Sequence, residues 1–109
     1  MTGFSRAVRA IVLTRADSRC ERCGVFADDM QLHHRRARGM GGSKAVDTNT
    51  PANALAVCGE CHRAIESMRT TAQHLGWLVR QGMAPAETPV FRQGQWVNLH
   101  DDGTWELRA

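Results

Sequence analysis

Four cysteines form two Cys-x-x-Cys pairs, Cys20/Cys23 and Cys58/Cys61, which together account for every cysteine in the chain. Each pair can wrap one side of a metal ion, and two pairs complete a tetrahedral thiolate shell with no open position. Four sulfur ligands favour zinc, so the pattern predicts a structural zinc site. Two disulfides, four free thiols or an iron–sulfur cluster are the alternatives. The 34 residues between Cys23 and Cys58 exceed a simple zinc ribbon, so a further segment is inserted there.

Three of the five histidines lie within this insert or directly beside it. His33 and His34 are neighbours in the insert, and His62 follows Cys61. We expect His62 to face His33, where two imidazoles can hold a second divalent ion with open positions. His34 can take a proton from an attacking water, because histidine titrates near physiological pH. Neighbours on a strand point to opposite faces, so His33 and His34 share one site only where the strand twists or ends. The alternative is that these histidines pack in the core or complete the zinc shell.

Three arginines, Arg35, Arg36 and Arg38, follow the histidine pair and can bind phosphates bidentately. Residues 1–44 carry nine Lys/Arg and four Asp/Glu, whereas residues 45–109 carry five and seven. A basic half with clustered arginines predicts a polyanionic partner, and plain surface charge is the alternative. A metal ion, a base and an anion clamp are together the requirements of phosphodiester hydrolysis.

The elements that position these residues follow from apolar spacing and turn residues. The spacing predicts a helix from Ser5 to about Asp17, a strand over residues 31–36 and a short structured turn over residues 53–57. A loop is predicted at three glycines, Gly39, Gly41 and Gly42.

A long helix is predicted from His62 to about Arg80, with an apolar stripe that includes Val79 and a stop at Gly82. Short strands are predicted over residues 90–91, 95–99 and 104–107. Asp102-Gly103 predicts a hairpin turn between the last two strands, with Trp96 and Trp105 paired across it.

The combined pattern resembles the HNH endonucleases, in particular the subgroup with a four-cysteine zinc site. The residues that carry the resemblance are Cys20-x-x-Cys23, Leu32-His33-His34 and Asn53-x-Leu55-x-Val57-Cys58-x-x-Cys61-His62. The resemblance covers about residues 18–70. It implies an α+β fold, namely a small zinc-stapled ββα-metal (His-Me finger) domain with flanking helices and a C-terminal β-hairpin. We expect one nuclease domain over residues 1–109, with a C-terminal β extension over about 88–109.

The resemblance also implies roles for individual residues. His34 is the expected general base, and His33 and His62 are the expected ligands of a catalytic divalent ion, which can be Mg²⁺, Mn²⁺, Ni²⁺ or Zn²⁺. Asn53 is expected to brace the loop that orients the base, with a helix-entry cap as the alternative. Some members of the family have a third ligand, for which Asp47 is a candidate.

The expected function is metal-dependent hydrolysis of DNA phosphodiester bonds. The segments 76–80 and 101–105 have a looser resemblance to small HNH proteins of phages that infect actinobacteria. This implies a role in phage DNA packaging, with terminase subunits as partners. The rival interpretation is a non-catalytic zinc-ribbon DNA-binding module, which does not need His33, His34 or His62. A zinc deaminase is excluded, because its signature requires His-x-Glu.

Neither an export signal nor a stretch of about 20 apolar residues is visible. We therefore expect no membrane association and a cytoplasmic location, which is the host cytoplasm if a phage encodes the chain.

Overall fold

The computed structural model describes residues 3–38 and 45–108. The chain is a small α+β protein, and within these residues it forms three α-helices and two antiparallel β-sheets. The elements are, in order, α1 (Arg6–Ala16), β1 (Gln31–His34), β2 (Ala54–Val57), α2 (Gly59–Ser67), α3 (Arg69–His74), β3 (Val90–Arg92), β4 (Gln95–Leu99) and β5 (Trp105–Leu107). The loop predicted at Gly39, Gly41 and Gly42 lies outside the described residues.

Helix α1 has the bounds that the sequence predicts. The Ser5 hydroxyl accepts a hydrogen bond from the Val8 N–H at 3.1 Å and caps the first turn. Asp17 adopts a left-handed conformation and ends the helix by donating its N–H to the Leu13 carbonyl at 3.1 Å. The buried face of α1, which includes Val12, packs against β2.

Strands β1 and β2 pair antiparallel, with His33 opposite Leu55 and His34 opposite Ala54. The prediction of a short turn over residues 53–57 is wrong, because Ala54–Val57 forms a fully buried strand. A short apolar run that is buried on both faces lacks the alternation that predicts a strand. The second cysteine pair follows β2 directly. Because Val57 pairs with Gln31, this cysteine pair begins next to the start of β1.

The long helix predicted from His62 to Arg80 is also wrong. It begins earlier, at Gly59, breaks into α2 and α3 at Met68, and ends at His74. Gly76 explains the end, because its φ is +77° and a Cβ there would lie 2.1 Å from the Pro89 carbonyl oxygen. The predicted stop at Gly82 is therefore too late. Val79 leaves the helical stripe and donates its N–H to the Arg35 carbonyl at 2.8 Å.

The three predicted C-terminal strands are confirmed and form a sheet in the order β3-β4-β5. The hairpin at Asp102-Gly103 is confirmed as well. The pairing of Trp96 with Trp105 is wrong, because Trp105 lies opposite Leu99. Trp96 lies opposite Phe91, with ring centroids 5.4 Å apart.

One buried apolar cluster joins the elements. It includes Val12 of α1, Leu55 of β2 and Ile65 of α2, together with Val97 and Leu99 of β4. No helix in the ranges 3–38 and 45–108 is long and apolar enough to cross a membrane.

A buried ion triad holds the first cysteine pair in place, and the sequence did not predict it. The Glu21 carboxylate accepts hydrogen bonds from Nε and Nη2 of Arg15, both at 2.8 Å, and from Nε of Arg92 at 2.8 Å. It also accepts the Ala56 N–H at 2.9 Å. Burial acts to raise the pKa of Glu21, but the Arg15 guanidinium, the Ala56 N–H and the Arg92 guanidinium together outweigh it and hold the pKa below its usual range. Glu21 thereby ties the segment after α1 to β2 and β3.

Candidate metal centres

The first candidate centre is the cysteine cluster, in which the four sulfur atoms lie within 4.8 Å of one another. Its first half is a tight turn in which the Cys20 carbonyl accepts the Gly24 N–H at 2.8 Å. Its second half lies where β2 runs into α2, with Cys58 at the cap and Cys61 in the first turn. All four cysteines are free, which is against the alternative of two disulfides. The cluster can hold a structural metal such as zinc.

Hydrogen-bond donors directed at the sulfurs fit this use. The Cys58 N–H donates to the Cys20 sulfur at 3.4 Å, and Nη1 of Arg22 donates to the Cys61 sulfur at 3.2 Å. Burial acts to raise the pKa of the Cys20 thiol, but the backbone N–H groups of Cys23, Cys58 and Arg22 outweigh this effect and lower the pKa to about 7. Thiolate is the form that binds metals, so these donors favour the ligand state.

The second candidate centre brings together His33, His62 and Glu66, whose ligand atoms lie within 4.8 Å of one another. His33 lies on β1, and His62 and Glu66 lie one turn apart on α2. The sequence predicted that His62 faces His33, and the two do lie together; their role as ligands of a catalytic ion stays a prediction. The sequence analysis missed Glu66, although its four-residue spacing from His62 indicates a shared helix face. Asp47 is wrong as the third ligand, because it forms an ion pair with Arg36 instead.

Both imidazoles of this cluster are oriented through their second ring nitrogen. Nε2 of His33 bonds to the Trp77 carbonyl at 2.8 Å, and Nδ1 of His62 bonds to Oε1 of Gln31 at 2.6 Å. Carbonyl oxygens only accept, so Nδ1 of His33 and Nε2 of His62 carry the lone pairs that can bind an ion. Metal-binding histidines typically have such a bond. Burial lowers the pKa of His33 to about 4, which keeps this imidazole neutral at physiological pH.

The chemistry of this donor set suits a reactive ion. Two imidazoles and one carboxylate leave coordination positions for water and substrate, as in hydrolytic zinc sites and in ferrous sites. Beside the cluster is an open depression of about 410 Å³, lined by His62, Arg63, Glu66 and Ser67. Solvent and a large substrate can therefore reach two of the three ligands.

His34 is the last residue of β1, and it does not belong to the cluster of His33, His62 and Glu66. Its ring stacks on Phe4, with centroids 3.9 Å apart and planes at 13°. Nε2 of His34 bonds to Oδ1 of Asn49 at 2.8 Å, which leaves Nδ1 as the proton acceptor. Burial lowers the pKa of His34, so its neutral form prevails at physiological pH.

Asn53 is fully buried and spans the two ends of the segment between β1 and β2. Its Oδ1 accepts the Arg36 N–H at 2.7 Å, and its Nδ2 donates to the carbonyls of Arg36 and Thr48 at 3.1 and 2.7 Å. Thr48 precedes Asn49, the partner of His34. The helix-cap alternative does not hold, because the residue that caps α2 is Cys58.

Two of the three arginines that were predicted to bind phosphate, Arg35 and Arg36, are buried and bind other groups of the chain. Arg35 is fully buried, and its guanidinium donates to the carbonyls of Gly76, Ala52, Pro85 and Thr88 at 2.8 to 3.0 Å. Arg36 is 5% exposed and binds Asp47 and the Met83 carbonyl. Buried carbonyls in irregular segments need donors, and these arginines supply them. The prediction for Arg38, which is half-buried, stays a prediction.

We compared the chain with models of protein families, with curated proteins and with solved structures. None of them matches it.

Proposed function

We propose that this chain is a metal-dependent DNA endonuclease of the HNH kind. The observation that carries the proposal is the convergence of His33, His62 and Glu66 within 4.8 Å, with each imidazole oriented by a carbonyl. A separate cysteine cluster supports a structural zinc site beside it. The order β1, β2, α2, with ligands on β1 and α2, supports the narrower proposal of a ββα-metal fold.

The proposed reaction is hydrolysis of a DNA phosphodiester bond. His33, His62 and Glu66 would hold a divalent ion, which would supply Lewis-acid stabilisation of the charge on the phosphate and on the leaving 3′ oxygen. His34 takes the proton from the attacking water at Nδ1, because Nε2 is held by Asn49. Phe4 fixes the plane of the His34 ring. Asn53 fixes the backbone before Asn49, so it acts as a positioning residue.

Plasmid cleavage tests the proposal. The zinc-loaded chain should nick or linearise supercoiled plasmid with at least one of Mg²⁺, Mn²⁺, Ni²⁺ or Zn²⁺, and not with chelator. His34→Ala should lose about 100-fold or more of the rate, which is the usual contribution of a general base. It should keep its cysteine-bound zinc and its affinity for duplex DNA.

His74→Ala is the matched control, because His74 is exposed on α3 and is absent from both clusters. Full cleavage by His34→Ala would refute the assigned base. Duplex binding by the parent chain without cleavage under any ion would instead favour the non-catalytic zinc-ribbon module.

A further inference from the structure

A second depression lies beside α3 and is distinct from the one at the histidine cluster, which consists of His33, His62 and Glu66. Its volume is about 210 Å³, and its polar lining is Arg35, Arg69, Gln73, Arg80 and Gln81. We refer to it as the arginine pocket. Its walls are α3, the segment after α3, and the segment after β1.

The arginine pocket is strongly cationic. Three guanidinium groups line it, and none of its described lining residues is acidic. Arg35 is fully buried behind the pocket, and its N–H groups are engaged by carbonyls, so it supplies charge rather than contact. Burial lowers the pKa of Arg35 to about 9, which still leaves it charged at neutral pH. Arg69 and Arg80 are exposed and can reach a bound group.

One ion pair connects the arginine pocket to the histidine cluster. Nη1 of Arg69 donates to Oε2 of Glu66 at 3.0 Å, and both side chains are more than half exposed, at 55% and 53%. Exposed pairs of this kind contribute little stability, so Arg69 can turn to another anion at small cost. An ion held by Glu66 would weaken the attraction between this carboxylate and Arg69, and so would further favour the release of Arg69. Glu66 thus belongs to the histidine cluster and contacts the arginine pocket only through its ion pair with Arg69.

We propose that the arginine pocket binds a phosphate group of the DNA backbone that flanks the phosphate at the histidine cluster. This inference rests on the proposed function. Arginine holds phosphate oxygens through paired N–H donors, and the amides of Gln73 and Gln81 add donors at the same depression. The sequence assigned phosphate binding to Arg35, Arg36 and Arg38; in this proposal Arg69 and Arg80 take the place of the buried Arg35 and Arg36.

Salt-dependent DNA binding tests the arginine pocket. A labelled duplex is titrated with the zinc-loaded His34→Ala chain, which binds without cleaving, over a series of KCl concentrations with anisotropy as the readout. Arg69→Gln and Arg80→Gln, each added to this background, should weaken binding. Each should also reduce the slope of log K against log salt by about 0.9, the value for one phosphate contact.

Arg108→Gln is the matched control, because it removes the same charge from an exposed residue just after β5. Its slope should equal that of the background chain. If the slope of log K against log salt falls equally in all three variants, the effect is one of total charge, and the proposal of a phosphate site at the arginine pocket is refuted. Unchanged slopes for Arg69→Gln and Arg80→Gln, with plasmid cleavage intact in the parent, overturn the pocket and leave the endonuclease standing. A parent chain that neither binds nor cleaves DNA overturns both.

Discussion

Glu21→Gln should destabilise the chain more than any other substitution of similar size near the cysteine cluster. Gln has almost the same volume as Glu, so the change opens no cavity and acts through charge and hydrogen bonding. Glu21 is wholly buried and accepts four hydrogen bonds, three of them from the guanidinium groups of Arg15 and Arg92. In the variant, two guanidinium groups face a neutral amide whose NH₂ cannot accept.

The magnitude follows from these contacts. Removal of one partner from a buried ion pair costs about 3–5 kcal/mol, because the remaining charge stays buried without compensation. Two cations lose their counter-charge here, so we expect the upper end, about 4–5 kcal/mol. With a urea m-value of about 2 kcal/mol per M, the unfolding midpoint should fall by roughly 2 M.

Urea unfolding followed by tryptophan fluorescence measures this loss. Free zinc is held constant, because an ion that binds only the folded chain shifts its stability by mass action. The control is Glu106→Gln, whose exposed carboxylate pairs with His100 at 3.1 Å and should cost less than about 0.5 kcal/mol. A loss below about 1 kcal/mol for Glu21→Gln would show that the triad does not hold the first cysteine pair in place.

Two further substitutions test the histidine cluster and the chain reversal beside it. Gln31→Leu removes the oxygen that orients His62, so affinity for Mn²⁺ or Co²⁺ at this cluster should fall about 10–100-fold while cysteine-bound zinc is retained. Unchanged affinity in a metal titration would contradict this orienting role. Gly76→Ala should cost about 2–4 kcal/mol in urea unfolding, since it adds a clash with Pro89 to an unfavourable φ. Gly82→Ala shares a positive φ of +87° but meets nothing within 4 Å, so an equal loss in both variants would argue against the close approach at Gly76.

Local spacing predicted the features that depend on neighbouring residues. The Cys-x-x-Cys pairs, the bounds of α1 and the hairpin at Asp102-Gly103 each involve residues a few positions apart. Such features follow from chain geometry and turn chemistry alone.

Long-range contacts decided the features that the sequence did not predict. Arginine is a residue type that often binds phosphate, but the Arg35 side chain binds backbone carbonyls instead. These carbonyls belong to residues 17 to 53 positions away in the chain, so local sequence does not indicate them. Gly76 ends α3 because of Pro89, which belongs to the approach to β3. The spacing of Glu66 from His62 indicates a shared helix face, but the sequence does not indicate that Glu66 also lies next to His33, which is on another element.

The ion triad also has a consequence for synthesis of the chain. Arg15 lies 6 residues from Glu21, whereas Arg92 lies 71 residues beyond it. At about 5–20 residues per second, a ribosome makes Arg92 roughly 4–14 s after Glu21. All four cysteines are translated before the end of that interval, while Glu21 still has only its nearer cation. We therefore expect the full set of contacts that holds the first cysteine pair to form only after β3 has been translated.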